Sequence, residues 1–195
     1  MTRPAAGVPP PPQGDLFGPA LLPGLTYADE VVSASEEKEL VARIETAGLA
    51  PFQFQQWEGK RLTRSFGWTY DFQTGRFAPG EPIPDWLEDV RGRAAGFAGI
   101  DPASLEQALV IQYGPGAGIG WHKDRPVFGH VIGLSLGAPA TMRFRRRGGT
   151  RFERATADLA PRSIYHMQGE VRDDWEHSIA AMHAPRWSVT FRSLR

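Results

Sequence analysis

The sequence predicts a single α+β domain that is mainly β, with helices in its first half and a β core in its second. Helical patterns with recognisable caps precede residue 107. After it, the chain becomes a series of short runs rich in β-branched and aromatic residues, separated by Gly, Pro and Asp. The runs are QALVIQY, HVIGLSL, ATMRFR, RSIYHMQ and RWSVTFR. Such a series is typical of a β-sandwich, a jelly roll or a barrel.

Two helices are expected before the β core. The first begins near Ser33, because Ser33 and Glu36 can form a capping box and Gly48 suits a helix end. Its apolar stripe consists of Leu40, Val41, Ile44 and Ala47. The second begins at Pro84 or Asp85. Its inward residues are Trp86, Leu87 and Val90.

Composition excludes several classes of function. The 195 residues carry zero net charge, so no global attraction to nucleic acid or anionic lipid is expected, although local patches remain open. Because there is no cysteine, disulfides, thiolate metal sites and cysteine nucleophiles are excluded, and a metal must bind through His, Asp or Glu. No run reaches the roughly 20 apolar residues of a membrane span.

The ends of the chain differ in character. Residues 1–20 are rich in Pro, Gly and Ala and are expected to form a disordered tail, with a single domain over 21–195. The N-terminus has no apolar signal core. We therefore expect a cytoplasmic monomer that does not interact with membranes.

One half of a metal site is suggested by GPGAGIGWHKDRPVFGHVIGLSLG, residues 114–137. If His122 and Asp124 lie in a strand, they point to the same face, because side chains alternate. Two histidines and one carboxylate, with open positions opposite, form the iron site of non-haem oxygenases. A simple turn is the alternative interpretation. The second histidine would come from His130, His166, His177 or His183.

These histidines are not equivalent. His130 is an awkward ligand, since it follows Asp124 by six residues and is expected in or near the same strand. His177 shares its strand face with Trp175 and Ile179, so it would be held in an apolar wall. A buried structural histidine explains that pattern equally well.

The last run, RWSVTFR, alternates cleanly over residues 186–192. One face carries Arg186, Ser188, Thr190 and Arg192. An exposed polar face is the simpler interpretation. Beside a candidate metal ligand, however, two arginines could hold an acidic co-substrate at its two ends, because each can bind a carboxylate through paired hydrogen bonds.

Four segments together resemble the AlkB-like Fe(II)- and 2-oxoglutarate-dependent dioxygenases. They are YGPGAGIGWHKD, VIGLSLGAPATMRF, RSIYHMQGEVRDDWEHSI and RWSVTFR, and the resemblance extends from about residue 65 to the C-terminus. It implies a double-stranded β-helix (jelly-roll) core with N-terminal helices packed against it. It also implies Fe(II), 2-oxoglutarate and O2 as cofactors.

The resemblance implies a role for individual residues. The metal ligands, and with them the catalytic residues, are His122, Asp124 and His177. The residues implied for 2-oxoglutarate are Tyr113, Arg186, Arg192 and Ser188. Arg186 would pair with the distal carboxylate, and Arg192 would lie nearer the metal-chelating end. Trp68 or Tyr70 would stack on a substrate base, although a plain core role has nearly equal weight.

Three positions depart from the family pattern. Ile111 and Ser188 stand where asparagines are found near the co-substrate, and Pro126 replaces an acid that contacts the base in a DNA-repair member. The first two bear on affinity for 2-oxoglutarate. The third, Pro126, leaves the identity of the substrate undetermined.

The implied activity is oxidative removal of alkyl groups from nucleobases of DNA or RNA, as in DNA repair or RNA demethylation, with release of succinate, CO2 and an aldehyde. The alternatives are a same-fold oxygenase acting on a protein or small molecule, and a non-catalytic nucleic-acid-binding module. The intact ligand set and both arginines argue against the last.

Two basic clusters suit a nucleic-acid partner. Arginines crowd the hairpin RFRRRGGTRFER, residues 143–154, whose turn is expected at Gly148 and Gly149. A second cluster precedes Trp68: Lys60, Arg61 and Arg64. Because arginine and aromatic residues alternate there, we expect contacts to phosphates and a splayed base. The named candidates are Arg64, Arg145 and Arg147. Solvated charge runs are the alternative.

Overall fold

The computed structural model describes residues 22–54, 57–70 and 77–195, without the side chains of 52–58, 70 and 77. The expected tail over residues 1–20 therefore lies outside the described residues, as does the Tyr70 side chain. The α-helices are α1 Ala34–Thr46, α2 Glu88–Ala98 and α3 Gly169–Asp173. Short 3-10 turns occupy Asp85–Leu87 and Pro102–Ser104.

The strands are β1 Leu25–Ala28, β2 Ala50–Phe54, β3 Trp57–Phe66, β4 Trp68–Tyr70, β5 Phe77–Pro79, β6 Leu105–Tyr113, β7 Ile119–His122, β8 Phe128–Gly137, β9 Ala140–Gly148, β10 Arg151–Leu159, β11 Ser163–Met167, β12 Glu176–Ile179 and β13 Arg186–Leu194. They form a major sheet in the order β1-β11-β8-β13-β6-β3-β2 and a minor sheet in the order β10-β9-β12-β7. β4 and β5 pair separately. The described chain is thus mainly β with α1 and α2 ahead of most of the β core, as predicted. α3, however, lies between β11 and β12, and β1–β5 come before residue 105.

The major sheet has a buried core on each face. On one face, Val189 and Phe191 of β13 pack with Leu40 and Ile44 of α1 and with Val90 of α2. On the other face, residues of both sheets form a second core, which includes Ile111, Val131, Met142, Phe144 and Ile179. Burial of these apolar side chains holds the helices outside and the two sheets against each other.

The alternation predicted for the last strand is confirmed. β13 pairs with β6 on one side and β8 on the other, so it is central in the major sheet. Its apolar residues Val189 and Phe191 face the helices. Its polar residues line the space between the sheets: Arg186, Ser188, Thr190 and Arg192. The simpler interpretation, an exposed polar face, is wrong, because Arg186 is only 1% exposed.

The helix predictions are confirmed with small shifts. Ser33 and Glu36 form the capping box of α1, and Gly48 follows the helix with φ +67°. The second helix begins as a 3-10 turn at Asp85 and continues as α2. None of the helices in the described ranges has the length and apolar character needed to span a bilayer.

Three local predictions were wrong. β7 ends at His122, so Asp124 lies on the following loop rather than on the same strand. His130 lies in β8, a different strand in the other sheet. The hairpin turn is also shifted by one residue, because Gly148 pairs with Arg151 and leaves Gly149 and Thr150 as the turn. Loop lengths, which strand alternation does not report, cause all three differences.

Two further histidines meet on the helix-facing side of the major sheet. His130 Nδ1 lies 2.9 Å from His166 Nε2, and the rings are stacked with centroids 5.1 Å apart. His166 is 2% exposed. Burial, with a contribution from His130, lowers the pKa of His166 to about 4. His166 is therefore held in its neutral form, in hydrogen-bonding distance of His130.

This predicts loss of stability in mild acid. As pH falls below about 6.5, the unfolded chain protonates His166, whereas the folded chain resists until about pH 4. Over that window the free energy of unfolding should fall by up to about 1.4 kcal/mol per pH unit for this group. Urea unfolding of His166→Gln should show a shallower pH dependence than the wild type. The exposed His183→Gln is the control, and equal slopes for all three proteins would contradict the assignment.

Candidate active site

A cavity of about 1240 Å³ opens between the two sheets. Its walls are the inward faces of β6, β8 and β13 in the major sheet and of β7 and β12 in the minor sheet. Most of the predicted site residues line it: Tyr113, His122, Asp124, His177, Arg186, Ser188 and Arg192. The two sheets therefore bring together residues that are up to 79 positions apart in the sequence.

His122 and His177 are brought together by strand pairing. They are direct cross-strand partners between β7 and β12, with ring centroids 4.2 Å apart. His122 Nδ1 lies 2.9 Å from the Gly120 carbonyl oxygen, which leaves Nε2 as the nitrogen able to bind a metal. The Asp124 carboxylate reaches the pair from the adjoining loop, with Oδ2 3.7 Å from His177 Nε2.

Arg192 holds the same carboxylate from the opposite sheet. Its Nε and Nη2 donate to Asp124 Oδ1 at 3.1 and 3.0 Å. Burial alone would raise the pKa of Asp124, but the Arg192 guanidinium and then the two imidazoles outweigh it and lower this pKa below its ordinary range. Burial lowers the pKa of His122, and it lowers that of His177 to about 3. At neutral pH the set therefore consists of two neutral imidazoles and one carboxylate.

This donor set suits Fe(II). Within the described ranges, no three His, Asp or Glu side chains are close enough together to bind a metal ion as they stand. His122, Asp124 and His177 nevertheless supply two imidazoles and a carboxylate, which is the ligand type of non-haem iron sites. Because Arg192 occupies only Oδ1, Asp124 Oδ2 remains directed at His177. Binding of an ion would require these side chains to draw together.

Arg172 fixes the loop that carries Asp124. This arginine of α3 is 3% exposed, and its Nη2 donates to the carbonyl oxygens of Arg125 and Phe128, the latter at 2.8 Å. Both carbonyls lie just after Asp124 in the chain. The guanidinium therefore ties the loop to α3 and adds a second positive charge near the carboxylate. The role of this residue was not predicted from the sequence.

The far end of the cavity is built around Arg186. Its Nε donates to Ser135 Oγ at 3.2 Å, and its Cζ lies 5.1 Å from the centre of the Tyr113 ring. Within the described residues, its Nη1 is buried and has no hydrogen-bond partner. A buried guanidinium nitrogen without an acceptor favours an anionic ligand, because leaving such a donor unpaired is costly. This end therefore fits the distal carboxylate of 2-oxoglutarate.

Tyr165 is a second residue that was not predicted from the sequence. It lines the cavity, and its cross-strand partner in β8 is Gly133. A Cβ atom at position 133 would overlap the ring and hydroxyl of Tyr165. Burial raises the pKa of Tyr165 to about 12, although the Arg186 charge opposes the change. The signal was present in the sequence, since a glycine inside an apolar strand often marks such a close approach.

The residues predicted to contact the substrate are arranged differently from those predicted to bind the metal and the co-substrate. Trp68 is not among the described residues that line the cavity, but its carbonyl accepts a 2.8 Å hydrogen bond from Gln107 Nε2. Gln107 Oε1 in turn accepts from Arg192. Arg64 does line the cavity, with its guanidinium bound to the Ala47 carbonyl and to Glu81. The base-stacking role of Trp68 stays a prediction.

Arg145 and Arg147 lie outside the cavity. They project from the outer face of the minor sheet, opposite to Phe144, which is buried in the core between the sheets. Arg145 pairs with Glu176 at 2.7 Å and stacks on Trp121. Any contact that they make with a substrate would therefore be away from the reacting group.

Comparison with known proteins places the chain in a family. The sequence profile of the 2OG-Fe(II) oxygenase superfamily matches residues 24–192. The chain belongs to this superfamily. Its cofactors are accordingly Fe(II), 2-oxoglutarate and O2, as the resemblance implied.

Curated relatives identify this oxygenase as AlkB-like. It is 30% identical over 169 residues to the tRNA (carboxymethyluridine(34)-5-O)-methyltransferase ALKBH8 of Macaca fascicularis, a match that covers 82% of this chain and 24% of that protein. It is 28% identical over 185 residues to the alkylated DNA repair protein ALKBH8 homolog of Arabidopsis thaliana, covering 81% and 51%. The oxygenase thus spans between a quarter and a half of these relatives.

Solved structures confirm the double-stranded β-helix. OsALKBH1 superposes with a TM-score of 0.67 at 16% identity, covering 90% of this chain and 99% of that one. A Pseudomonas putida prolyl-4-hydroxylase superposes with a TM-score of 0.60 at 14% identity, covering 88% and 93%. At these identities the likeness concerns the fold alone.

The contact between Gly133 and Tyr165 yields a prediction. Gly133→Ala should lower the free energy of unfolding by about 1–3 kcal/mol, because the added methyl group overpacks the site. In a Tyr165→Leu background the same change should cost much less, as measured by a double-mutant cycle in urea. Gly120→Ala is the control, since a Cβ there meets nothing within 4 Å. Equal costs in both backgrounds would contradict the proposed contact.

Proposed function

We propose that this oxygenase removes alkyl groups from nucleobases of DNA or RNA by oxidation, and releases succinate, CO2 and an aldehyde. The observation that carries the proposal is one cavity with the 2-His-1-carboxylate donors on one wall and an unpartnered buried guanidinium nitrogen of Arg186 farther in. Such a cavity can hold an iron ion and a dicarboxylate together, and its volume leaves room for a base.

In this proposal His122, Asp124 and His177 hold the metal. When they are bound, Fe(II) and 2-oxoglutarate would react with O2 to give an oxidant that hydroxylates an alkyl group. Arg192 keeps the Asp124 carboxylate ionised and oriented, as second-sphere partners of metal ligands generally do. The Gly120 carbonyl oxygen orients the His122 ring by accepting a hydrogen bond from Nδ1. Arg192 thus contacts a proposed metal ligand, and its place nearer the metal-chelating end of 2-oxoglutarate, which the resemblance implied, stays a prediction.

Arg186 and Tyr113 orient the co-substrate. They are cross-strand partners between β13 and β6, and the guanidinium lies over the phenol ring. Ser188 follows on the same face of β13 and is 2% exposed. Ser188 and Ile111, where the family pattern has asparagine, both line the cavity, so their effect should fall on affinity for 2-oxoglutarate. The apolar body of the cavity excludes water around the reacting group.

The choice of a nucleobase substrate rests on the relatives and on charge. One relative is named as an alkylated DNA repair protein and others as tRNA-modifying enzymes. The methyltransferase activity in the latter name belongs to much longer proteins and is not carried over. Basic residues at the cavity, including Arg64 and Lys123, suit the phosphates of a nucleic acid. Pro126, also in the lining, leaves the identity of the base open. The expectation of a cytoplasmic monomer stays a prediction.

The test uses the purified protein with Fe(II), ascorbate and 2-oxoglutarate. A panel of methylated single- and double-stranded DNA and RNA oligonucleotides is analysed by mass spectrometry for loss of methyl mass, together with succinate. Loss from one class of oligonucleotide supports the proposal and identifies the class. Succinate release with a protein or small molecule, but never with an oligonucleotide, would contradict the proposal. It would instead support an oxygenase that acts on a protein or small molecule.

His177→Ala should abolish metal-dependent turnover while the fold persists. The loss of one imidazole should weaken binding of Mn(II), a redox-inert substitute, by more than the roughly 10–100-fold that loss of an outer partner costs. Calorimetric titration measures the affinity, and far-UV circular dichroism checks the fold. The exposed His183→Ala should match the wild type. Undiminished Mn(II) affinity in His177→Ala would remove this residue from the ligand set.

Arg186→Lys should raise the concentration of 2-oxoglutarate needed for half-maximal succinate release by about 10–100-fold, because a paired, charge-assisted hydrogen bond is lost. Mn(II) affinity should change little, since Arg186 lies away from the donors. Lysine keeps the charge, so the variant is less prone to unfold than alanine. The exposed Arg43→Lys in the last turn of α1 is the control. An unaltered dependence on 2-oxoglutarate would refute the role.

A further inference from the structure

The outer face of the minor sheet carries a row of stacked arginine and aromatic side chains, here called the Arg-aromatic face. Its members are Trp121 of β7, Arg143, Arg145 and Arg147 of β9, and Phe152 and Arg154 of β10. Strand register places them together, because Phe152 pairs with Arg147 and Arg154 pairs with Arg145. The inward residues of the same strands, such as Met142 and Phe144, are buried.

The stacking is continuous across the sheet. Arg145 lies between two rings, with Cζ 4.4 Å from the centre of Trp121 and 4.8 Å from that of Phe152. Arg143 covers the other part of Trp121 at 5.2 Å. Arg147 and Arg154 flank Phe152 at 5.3 and 5.8 Å. Neighbouring strands are about 4.8 Å apart, so the row crosses the whole four-stranded sheet.

Phe152 is unusual among these residues. It is 37% exposed, and among the described residues it is the large hydrophobic side chain that stands out to solvent. The three guanidiniums around it leave part of this side chain open to solvent. An exposed ring surrounded by cations suits a flat, anionic ligand, whose bases can stack on the ring while its phosphates meet the arginines.

This face carries an excess of positive charge, although the net charge of the whole chain is zero. The face has four arginines. Its carboxylates are Glu176, which pairs with Arg145, and Asp158 at the opposite end, which accepts from Thr141. Within the described residues, no carboxylate ion-pairs with Arg143, Arg147 or Arg154. Arg146, which points to the other side, is by contrast bound by Glu153 and Glu170.

Trp121 connects the face to the active site. It precedes His122 in β7, lines the cavity and lies under Arg143 and Arg145. A nucleic-acid strand whose target base enters the cavity can therefore continue past Trp121 and over β9 and β10. Along this path it stays on a basic, aromatic surface.

We propose that the Arg-aromatic face binds the single-stranded nucleic acid that flanks the target nucleotide, with Phe152 as a stacking platform. This inference rests on the proposed function, and it narrows the substrate to an extended single strand of DNA or RNA. A duplex does not fit equally well, since its bases are already stacked on one another and cannot stack on Phe152.

Binding is tested without catalysis, on the whole 195-residue chain. A fluorescent, unmethylated single strand of about twelve nucleotides is titrated by anisotropy, a length within the range bound by known single-strand surfaces. Phe152→Ala should weaken binding about tenfold, whereas Phe152→Tyr should retain it. Arg147→Gln combined with Arg154→Gln should lower the slope of log affinity against log salt by about 1.4, since each phosphate contact contributes about 0.7.

Arg151→Gln is the matched control. It removes one positive charge from the same hairpin, as each of the two arginine substitutions does. As an odd-numbered residue of β10, however, Arg151 lies on the side opposite to Phe152 and Arg154. It should leave both the affinity and the effect of Phe152→Ala unchanged. Tighter binding of a duplex than of the single strand would overturn the proposal. Equal displacement by poly-glutamate would also overturn it, because the face would then select an acidic protein.

A second readout separates this inference from the proposed function. With Fe(II) and 2-oxoglutarate, Phe152→Ala should reduce turnover of the long methylated strand yet leave that of a methylated mononucleotide unchanged. Single-strand binding that depends on Phe152, without any demethylation, would support the face and refute the dealkylase. Demethylation of long strands that is indifferent to Phe152 and to the arginine pair would refute the face and leave the dealkylase standing.

Discussion

The ion pair between Arg192 and Asp124 is the contact on which the rest of the site depends. It joins the central strand of the major sheet to a loop of the minor sheet, across the cavity. Both side chains are nearly buried, so each charge would be costly without the other. Arg172 ties the same loop to α3 through carbonyl oxygens. The carboxylate is therefore held ionised beside two neutral imidazoles before any metal arrives, and the protein meets the cost of that arrangement when it folds.

Much of the fold could be predicted because it depends on short sequence patterns. The capping box at Ser33 and the alternation from Arg186 to Arg192 each depend on neighbours within a few residues, and both are confirmed. The loop position of Asp124 was not predictable, since alternation does not show where β7 ends. Nor was the partner of Arg192. Alternation tells which side of a strand a residue occupies, but the residue opposite is set by how two distant sheets pack.

A zero net charge conceals a strong internal separation of charge. The even-numbered Arg146 is neutralised by two glutamates, whereas its odd-numbered neighbours in β9 stack on aromatic rings at the opposite surface. Since successive residues of a strand face opposite sides, one run of arginines serves two purposes. One side contributes ion pairs that help hold α3 and the hairpin together, and the other offers cations to solvent. The net charge calculated from composition does not distinguish these two sides.

The fit of Tyr165 over Gly133 has an evolutionary consequence. The two residues share one volume, so neither can vary independently: a side chain at 133 demands a smaller residue at 165, and a tyrosine at 165 demands a bare backbone at 133. Related sequences should therefore separate into those that keep glycine with a large ring and those that exchange both together. The shape of the cavity around Arg186 would differ between the two groups, although His122, Asp124, His177 and Arg186 were common to both.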